Sequence, residues 1–101
     1  MAKIVVVKSR ALTKAHHFEL ASQLIRSGTN PGAMVQEYRY AESRRDKRHK
    51  LAIAMKEAAE TRYWACLLFD TDLLDKRSFV ELIDAVNPVI ALLVRTHKAL
   101  S

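Results

Sequence analysis

Residues that interrupt helices or form disulfides are scarce in this sequence, which has two glycines, two prolines and one cysteine among 101 residues. So few breakers exclude an architecture of many tight turns, such as a β-sandwich, and favour long helices. The lone Cys66 excludes an intramolecular disulfide. No apolar run approaches the roughly 18 residues that cross a bilayer, and Ile4–Val7 is too short for the core of a secretory signal. We therefore expect a cytoplasmic protein without a membrane span.

Apolar residues at helical spacing are abundant, since half of the chain is hydrophobic. The β-branched run Ile4–Val7 alone suggests a strand, but no second strand-like run exists to pair with it, so we predict a helix there. A second apolar stripe runs from Phe18 to Gly28 with polar residues on its other side. The hydroxyl of Thr13 is a candidate N-cap, which places the boundary between the first two helices near that residue.

The segment Ser27–Gly32 is the strongest breaker cluster of the chain. Pro31 has no amide proton and disfavours helical geometry at Asn30, so it kinks or interrupts a helix that passes through. The amphipathic pattern resumes directly after it, from Ala33 to Glu42. We predict a second helix with a proline kink.

The third and fourth helices have the clearest sequence signals. No glycine or proline occurs between Arg45 and Phe69, where an apolar stripe predicts the third helix. A loop follows, and Asp75 or Ser78 is the candidate cap of a last helix. Pro88 predicts a bend near Ala85 in that helix. The pattern predicts one all-α domain over residues 1–101, a helical bundle that begins with a short first helix.

The charge of the chain is basic, because Lys and Arg outnumber Asp and Glu by 17 to 11. Its densest cluster surrounds the predicted start of the third helix, next to Tyr38 and Tyr40. Surface cations attract phosphates and exposed tyrosines stack on unpaired bases, so the cluster is a candidate RNA contact. A solvated helix end is the alternative, since Asp46 and Lys50 form an ordinary i,i+4 pair. The candidate nucleic-acid-binding residues are Arg39, Arg44, Arg45, Lys47, Arg48 and Lys50.

Carboxylates in a helical bundle raise the possibility of a metal or acid–base site. Di-iron bundles need Glu-x-x-His pairs, and no histidine of this chain follows a glutamate by three positions. We therefore predict no metal, no cofactor and no catalytic residue. A strip of hydrogen bonds or salt bridges between helices or subunits is expected instead, with Arg26 or Arg39 as the partner. The candidate structural or interface residues are Glu37, Glu57, Glu60 and Trp64.

A resemblance to a known family covers about Leu20 to Leu100. It is carried by the segment LASQLIRSGTNPGAMVQEYRYAESRRDKRHKLAIAMKEAAETRYWACLLFDTDLL, above all by its Ser-Gly-Thr run, by Glu37 and by KLAIAMKEAAETRYW. This segment resembles four helix bundle proteins encoded in intervening sequences of 23S ribosomal RNA, which are related to accessory proteins of diversity-generating retroelements. The resemblance implies an antiparallel up-down four-helix bundle, commonly a homopentamer, whose basic surface in the retroelement relatives engages RNA and a reverse transcriptase. Two departures are the short segment Ala2–Leu12 and the proline in Asn87-Pro88.

Two functions follow as hypotheses. The first is a non-enzymatic, oligomeric RNA-binding accessory protein whose basic cluster contacts phosphates. The alternative is a protein-binding helical scaffold without direct nucleic-acid contact, in which the basic charge serves solubility.

Overall fold

Four α-helices and no strands make up the computed structural model, which describes all 101 residues. Turns of three to five residues join consecutive helices, so that neighbours in sequence are neighbours in space. This arrangement confirms the prediction of an all-α four-helix bundle with a short first helix. The bounds are α1 Ala2–Lys14, α2 Phe18–Arg39, α3 Arg44–Asp70 and α4 Lys76–Ala99.

Side-chain caps start two of the four helices. Ser43 Oγ accepts a hydrogen bond from the backbone N–H of Asp46 at 3.0 Å and begins α3. Asp75 Oδ1 accepts from the N–H of Ser78 at 2.7 Å and begins α4, which confirms Asp75 as the cap. The prediction of Thr13 as an N-cap was wrong, because its hydroxyl lies in the last turn of α1 and donates to the carbonyl of Ser9 at 3.0 Å.

Helix α2 continues through the predicted breaker cluster. Ser27 and Pro31 are fully buried there, and Gly28 is buried as well. Packing of these small residues against neighbouring helices offsets the cost of about 3 kcal/mol that a proline imposes on a helix interior. The cluster therefore does not interrupt the helix. Helix α4 also runs through Pro88 without a break; the kink in α2 and the bend in α4 stay predictions.

The four helices enclose two groups of buried apolar residues. Helix α2 packs against α1 and α3, while α4 packs against α3 and, over a shorter stretch, α1. Since α1 has 13 residues, it is about 20 Å long and covers only part of a molecule that extends over 44 Å. The first group includes residues of α1: Val5, Leu12, Ala21, Leu24, Ala65, Leu68, Leu74 and Leu82. The second group has no member from α1: Leu51, Ala54, Ala58 and Leu93.

Candidate nucleic-acid interface

Three chain segments meet at one end of the bundle: the C-terminus of α2, the N-terminus of α3 and the C-terminus of α4. Arg44 joins two of them, because its Nε donates to the carbonyl of Leu100 at 2.7 Å and its Nη2 donates to the carbonyl of Ala99 at 3.3 Å. Tyr38 of α2 and Leu100 both pack against the second buried group, which lies beneath this end. We call residues 35–56 and 89–101 the basic end.

The basic end holds the entire net charge of the protein. It contains nine Lys and Arg residues against three Asp and Glu residues. The remainder of the chain contains eight of each and is formally neutral. A surplus of +6 is thus concentrated at one end of an elongated molecule, where its potential attracts anions more strongly than the same charge spread over the surface.

Three of the six candidate cations have partners within the protein. Arg44 binds the last carbonyls of α4, as described above. The Nζ of Lys47 lies 5.9 Å from the centre of the Tyr38 ring, a cation–π distance. The Nζ of Lys50 lies 3.4 Å from Glu37 and 3.9 Å from Asp46, so two carboxylates share it. These contacts leave the three side chains less free to bind an external phosphate.

The other three candidates, Arg39, Arg45 and Arg48, are exposed and form no ion pair or side-chain hydrogen bond. Arg39 ends α2, whereas Arg45 and Arg48 lie in the first two turns of α3. Their guanidinium groups are available to bidentate contacts with phosphate oxygens. The fold brings these arginines to one end of the bundle.

Three exposed cations of the basic end were missed in the sequence. Lys56 lies in α3, beyond the predicted cluster. The other two, Arg95 and Lys98, lie near the C-terminus of α4. These two were missed because more than 40 residues of sequence separate them from the cluster. A basic residue near a helix C-terminus is expected for the helix dipole alone. Only the contact between Arg44 and the end of α4 shows that they belong to the same surface.

Tyr40 is the most exposed large apolar side chain of the protein, with 84% of its surface accessible. It is the C-cap residue of α2 and lies beside an open cavity of about 450 Å³. Tyr38, in contrast, is half-buried against the second buried group. The cavity is lined by Gln36, Glu37, Tyr40, Glu42, Asp46 and Lys50, which include all three acidic residues of the basic end.

Arg26 joins α2 to α3 through two carboxylates away from the basic end. Its Nη1 lies 2.8 Å from Glu57 Oε2, and its Nη2 contacts Glu60. Trp64 Nε1 donates to Glu60 Oε1 at 3.2 Å. Desolvation would lower the pKa of Arg26, but attraction to Glu60 and Glu57 outweighs it and raises that pKa above its ordinary value. The structure thus places Glu57, Glu60 and Trp64 in one strip, whereas Glu37 pairs with Lys50 elsewhere.

Side chains that commonly bind metal ions are dispersed over the structure. No group of three or more His, Cys, Asp and Glu side chains is close enough to hold a metal ion. Cys66 is half-buried within α3. None of the helices combines the length and the hydrophobicity that a membrane-crossing segment needs.

Comparisons with known proteins identify the family of this bundle. The family model described as 23S rRNA-intervening sequence protein matches residues 1–95. The chain is also similar to the crystal structure of a protein with unknown function from the S23 ribosomal protein family of Bacteroides thetaiotaomicron VPI-5482. That match has a TM-score of 0.88 and 33% identity, and it covers 95% of this chain and 89% of the other. No curated protein matches the chain. Since the family model spans nearly the whole sequence, the chain belongs to the 23S rRNA-intervening sequence protein family.

Proposed function

We propose that this protein is a non-enzymatic RNA-binding protein that holds the RNA backbone at its basic end. The observation that carries the proposal is the segregation of charge, because the whole surplus of +6 lies in residues 35–56 and 89–101. Cations placed against a nucleic acid release condensed counterions, which gives affinity with little dependence on sequence. Membership of a family named for an rRNA intervening sequence supports RNA as the nucleic acid concerned.

The exposed arginines and Arg44 have different roles in this proposal. Arg39, Arg45 and Arg48 have no internal partners and supply the phosphate contacts, and Arg95 and Lys98 widen the surface. Arg44 instead fixes the end of α4 beside α3 and thereby brings the two basic segments together. Its contribution to RNA binding is therefore indirect.

Charge reversal tests this assignment. The double variant Arg45→Glu, Arg48→Glu places acidic residues near the N-terminus of α3, where the helix dipole favours them, so it is expected to fold. Its matched control is Lys76→Glu, Arg77→Glu, which makes the same charge change in the first turn of α4. Affinity for a structured RNA is measured over a salt series for both variants.

The arginine variant is expected to bind more weakly, and its plot of log affinity against log salt should lose a slope of about 2, one for each phosphate contact. The control should keep the slope of the wild-type protein. Equal losses in the two variants would mean that total charge matters and not the basic end, and unchanged binding in both would refute the proposal.

Self-association and a protein partner such as a reverse transcriptase form the second part of the proposal. The family resemblance supports it, and single exposed apolar side chains are available to such contacts, since 59% of Phe18 on α2 and 56% of Leu92 on α4 are accessible. Light scattering gives the number of subunits, with five expected from the family resemblance. A mass equal to one chain at all concentrations would contradict it.

A helical scaffold that binds proteins alone is the second candidate function, and the same exposed residues favour it. Nuclease treatment of a cell extract before capture separates the two candidates. Partners that remain bound after nuclease treatment indicate the scaffold, whereas partners lost with the RNA indicate an RNA-bridged assembly.

A further inference from the structure

The cavity beside Tyr40 has a composition that phosphate binding does not explain. The basic end has only three acidic residues, and Glu37, Glu42 and Asp46 all line this one cavity. Carboxylates repel phosphate, so the cavity is a poor site for the RNA backbone. The acidic composition of the cavity therefore suits a part of a nucleotide other than its phosphate.

The aromatic wall of the cavity suits a nucleobase. Tyr40 is 84% exposed and adjoins Arg39, whose guanidinium has no internal partner. An exposed ring next to free cations is the combination with which proteins stack single-stranded bases while holding the neighbouring phosphates. Tyr38 does not fill this role, because it is half-buried and Lys47 lies over its ring.

The polar rim of the cavity selects among bases. Glu42 forms no ion pair or side-chain hydrogen bond, and Glu37 and Asp46 each approach Lys50 through a single oxygen. Ionised carboxylates only accept hydrogen bonds. Cytosine, adenine and guanine carry an exocyclic amino group with two N–H donors for such an acceptor, whereas uracil has no amino group and offers only its ring N3–H.

We infer that the cavity between Tyr40 and these carboxylates takes one unpaired RNA base that bears an amino group. The base stacks on Tyr40 and donates to Glu42, while Arg39 and Arg45 hold the phosphates on either side. This inference rests on the proposed RNA binding and names the class of RNA, namely RNA with unpaired cytosine, adenine or guanine in preference to a continuous duplex.

Oligocytidylate and oligouridylate of equal length provide the test, because their bases have similar size and differ at the amino group. Affinities are measured by fluorescence anisotropy at one salt concentration, together with a fully paired RNA. Oligocytidylate is expected to bind about tenfold more tightly than oligouridylate. Tyr40→Ala should weaken oligocytidylate binding about tenfold, while Tyr40→Phe should not. Tyr63→Ala, which removes another exposed tyrosine on α3, serves as the control and should leave binding unchanged.

The carboxylate is tested by Glu42→Ala, which should bring the affinities for the two oligonucleotides together. Equal affinities in the wild-type protein, or an unchanged affinity in Tyr40→Ala, would overturn the base site and leave the phosphate contacts standing. Absence of binding to every RNA would overturn the proposed function and the base site together.

Discussion

Replacement of Gly28 by alanine tests how closely α1 approaches α2. A β-carbon built on Gly28 would lie 2.4 Å from Val5 Cγ1, 2.7 Å from Cγ2 and 3.0 Å from Cβ. Carbon atoms in contact normally lie about 3.5–4.0 Å apart, so the added methyl group overlaps Val5 by roughly 1 Å. Val5 and Gly28 are both buried, so relief of the overlap requires packed atoms to shift.

The net effect is a difference between two opposing contributions. Alanine stabilises a helix interior by about 1 kcal/mol relative to glycine, whereas overpacking a core costs about 1–3 kcal/mol. Because the clash involves a β-branched side chain with one preferred rotamer, we expect a value near the upper end. Gly28→Ala should therefore lower the free energy of unfolding by about 1–2 kcal/mol, which corresponds to roughly 5–10 °C in Tm for a domain of this size.

Gly32→Ala is the matched control, since it lies one turn later in the same helix and its added β-carbon meets nothing within 4 Å. This variant should gain stability, and its difference from Gly28→Ala isolates the clash. Urea unfolding followed by circular dichroism measures both. Adding Val5→Ala to Gly28→Ala removes the two nearest atoms, so the two substitutions should couple favourably. If both alanine variants gained equal stability, the close approach of α1 and α2 would be refuted.

Three further substitutions test contacts that join elements or start them. Arg44→Ala should lower the free energy of unfolding by about 0.5–1.5 kcal/mol, because the last carbonyls of α4 lose its two hydrogen bonds; an unchanged urea midpoint would contradict this. Arg26→Ala leaves Glu57, which is 6% exposed, without its partner, so Tm should fall, and Arg26→Ala with Glu57→Gln should recover part of the loss. The hydrogen bond from the N–H of Ser78 holds the pKa of Asp75 below its ordinary value. Its stabilisation is present above the unfolded pKa of about 4 and is lost as the pH falls through the lowered folded value, so Asp75→Asn should reduce the acid sensitivity of Tm.

The sequence alone predicted the elements whose formation depends on residues close to each other in the chain. The third helix was predicted from Arg45 to Phe69 and extends from Arg44 to Asp70, because its interior has no breaker and its composition favours helix. Asp75 was recognised as a cap because a short carboxylate before an amphipathic segment meets the free amides of the first turn. Such features involve residues within four positions of each other.

Two features of α2 depend on tertiary contacts. The helix was predicted to pass Pro31 with a kink, and it does continue through that residue, where the segment is buried against neighbouring helices. Gly28 was placed both on the apolar stripe and in the breaker cluster, and its lack of a side chain admits Val5 of α1. The sequence indicated the effect of both residues on the backbone, but it did not indicate which helix packs against them.

The candidate site likewise combines features that are visible in neighbouring residues with contacts that only the fold creates. The cluster of cations was visible as a run along the chain, and so was the pairing of Lys50 with Asp46. The pairing of Lys50 with Glu37 and the contacts of Arg44 were not visible, since Arg44 binds residues 55 and 56 positions away. The cavity beside Tyr40 also needs the turn between α2 and α3, which brings Gln36 and Asp46 to one surface. Charge in a sequence therefore predicts attraction to an anion, and the fold determines which cations remain free to meet it.

Stability of the bundle alone gives no reason for the charge to be segregated. The remainder of the protein balances eight cations with eight carboxylates, some of them in ion pairs such as Lys8 with Glu81 and Arg26 with Glu57 and Glu60. The basic end could be neutralised in the same way, yet its three acidic residues leave Arg39, Arg45 and Arg48 without partners. Unpaired like charges at one end repel each other and destabilise the compact state. This cost is offset when an external polyanion occupies the surface, because phosphate contacts then replace the missing carboxylates. An excess of like charge that is unfavourable for the isolated chain and favourable for a complex supports the proposed binding of a polyanion at the basic end.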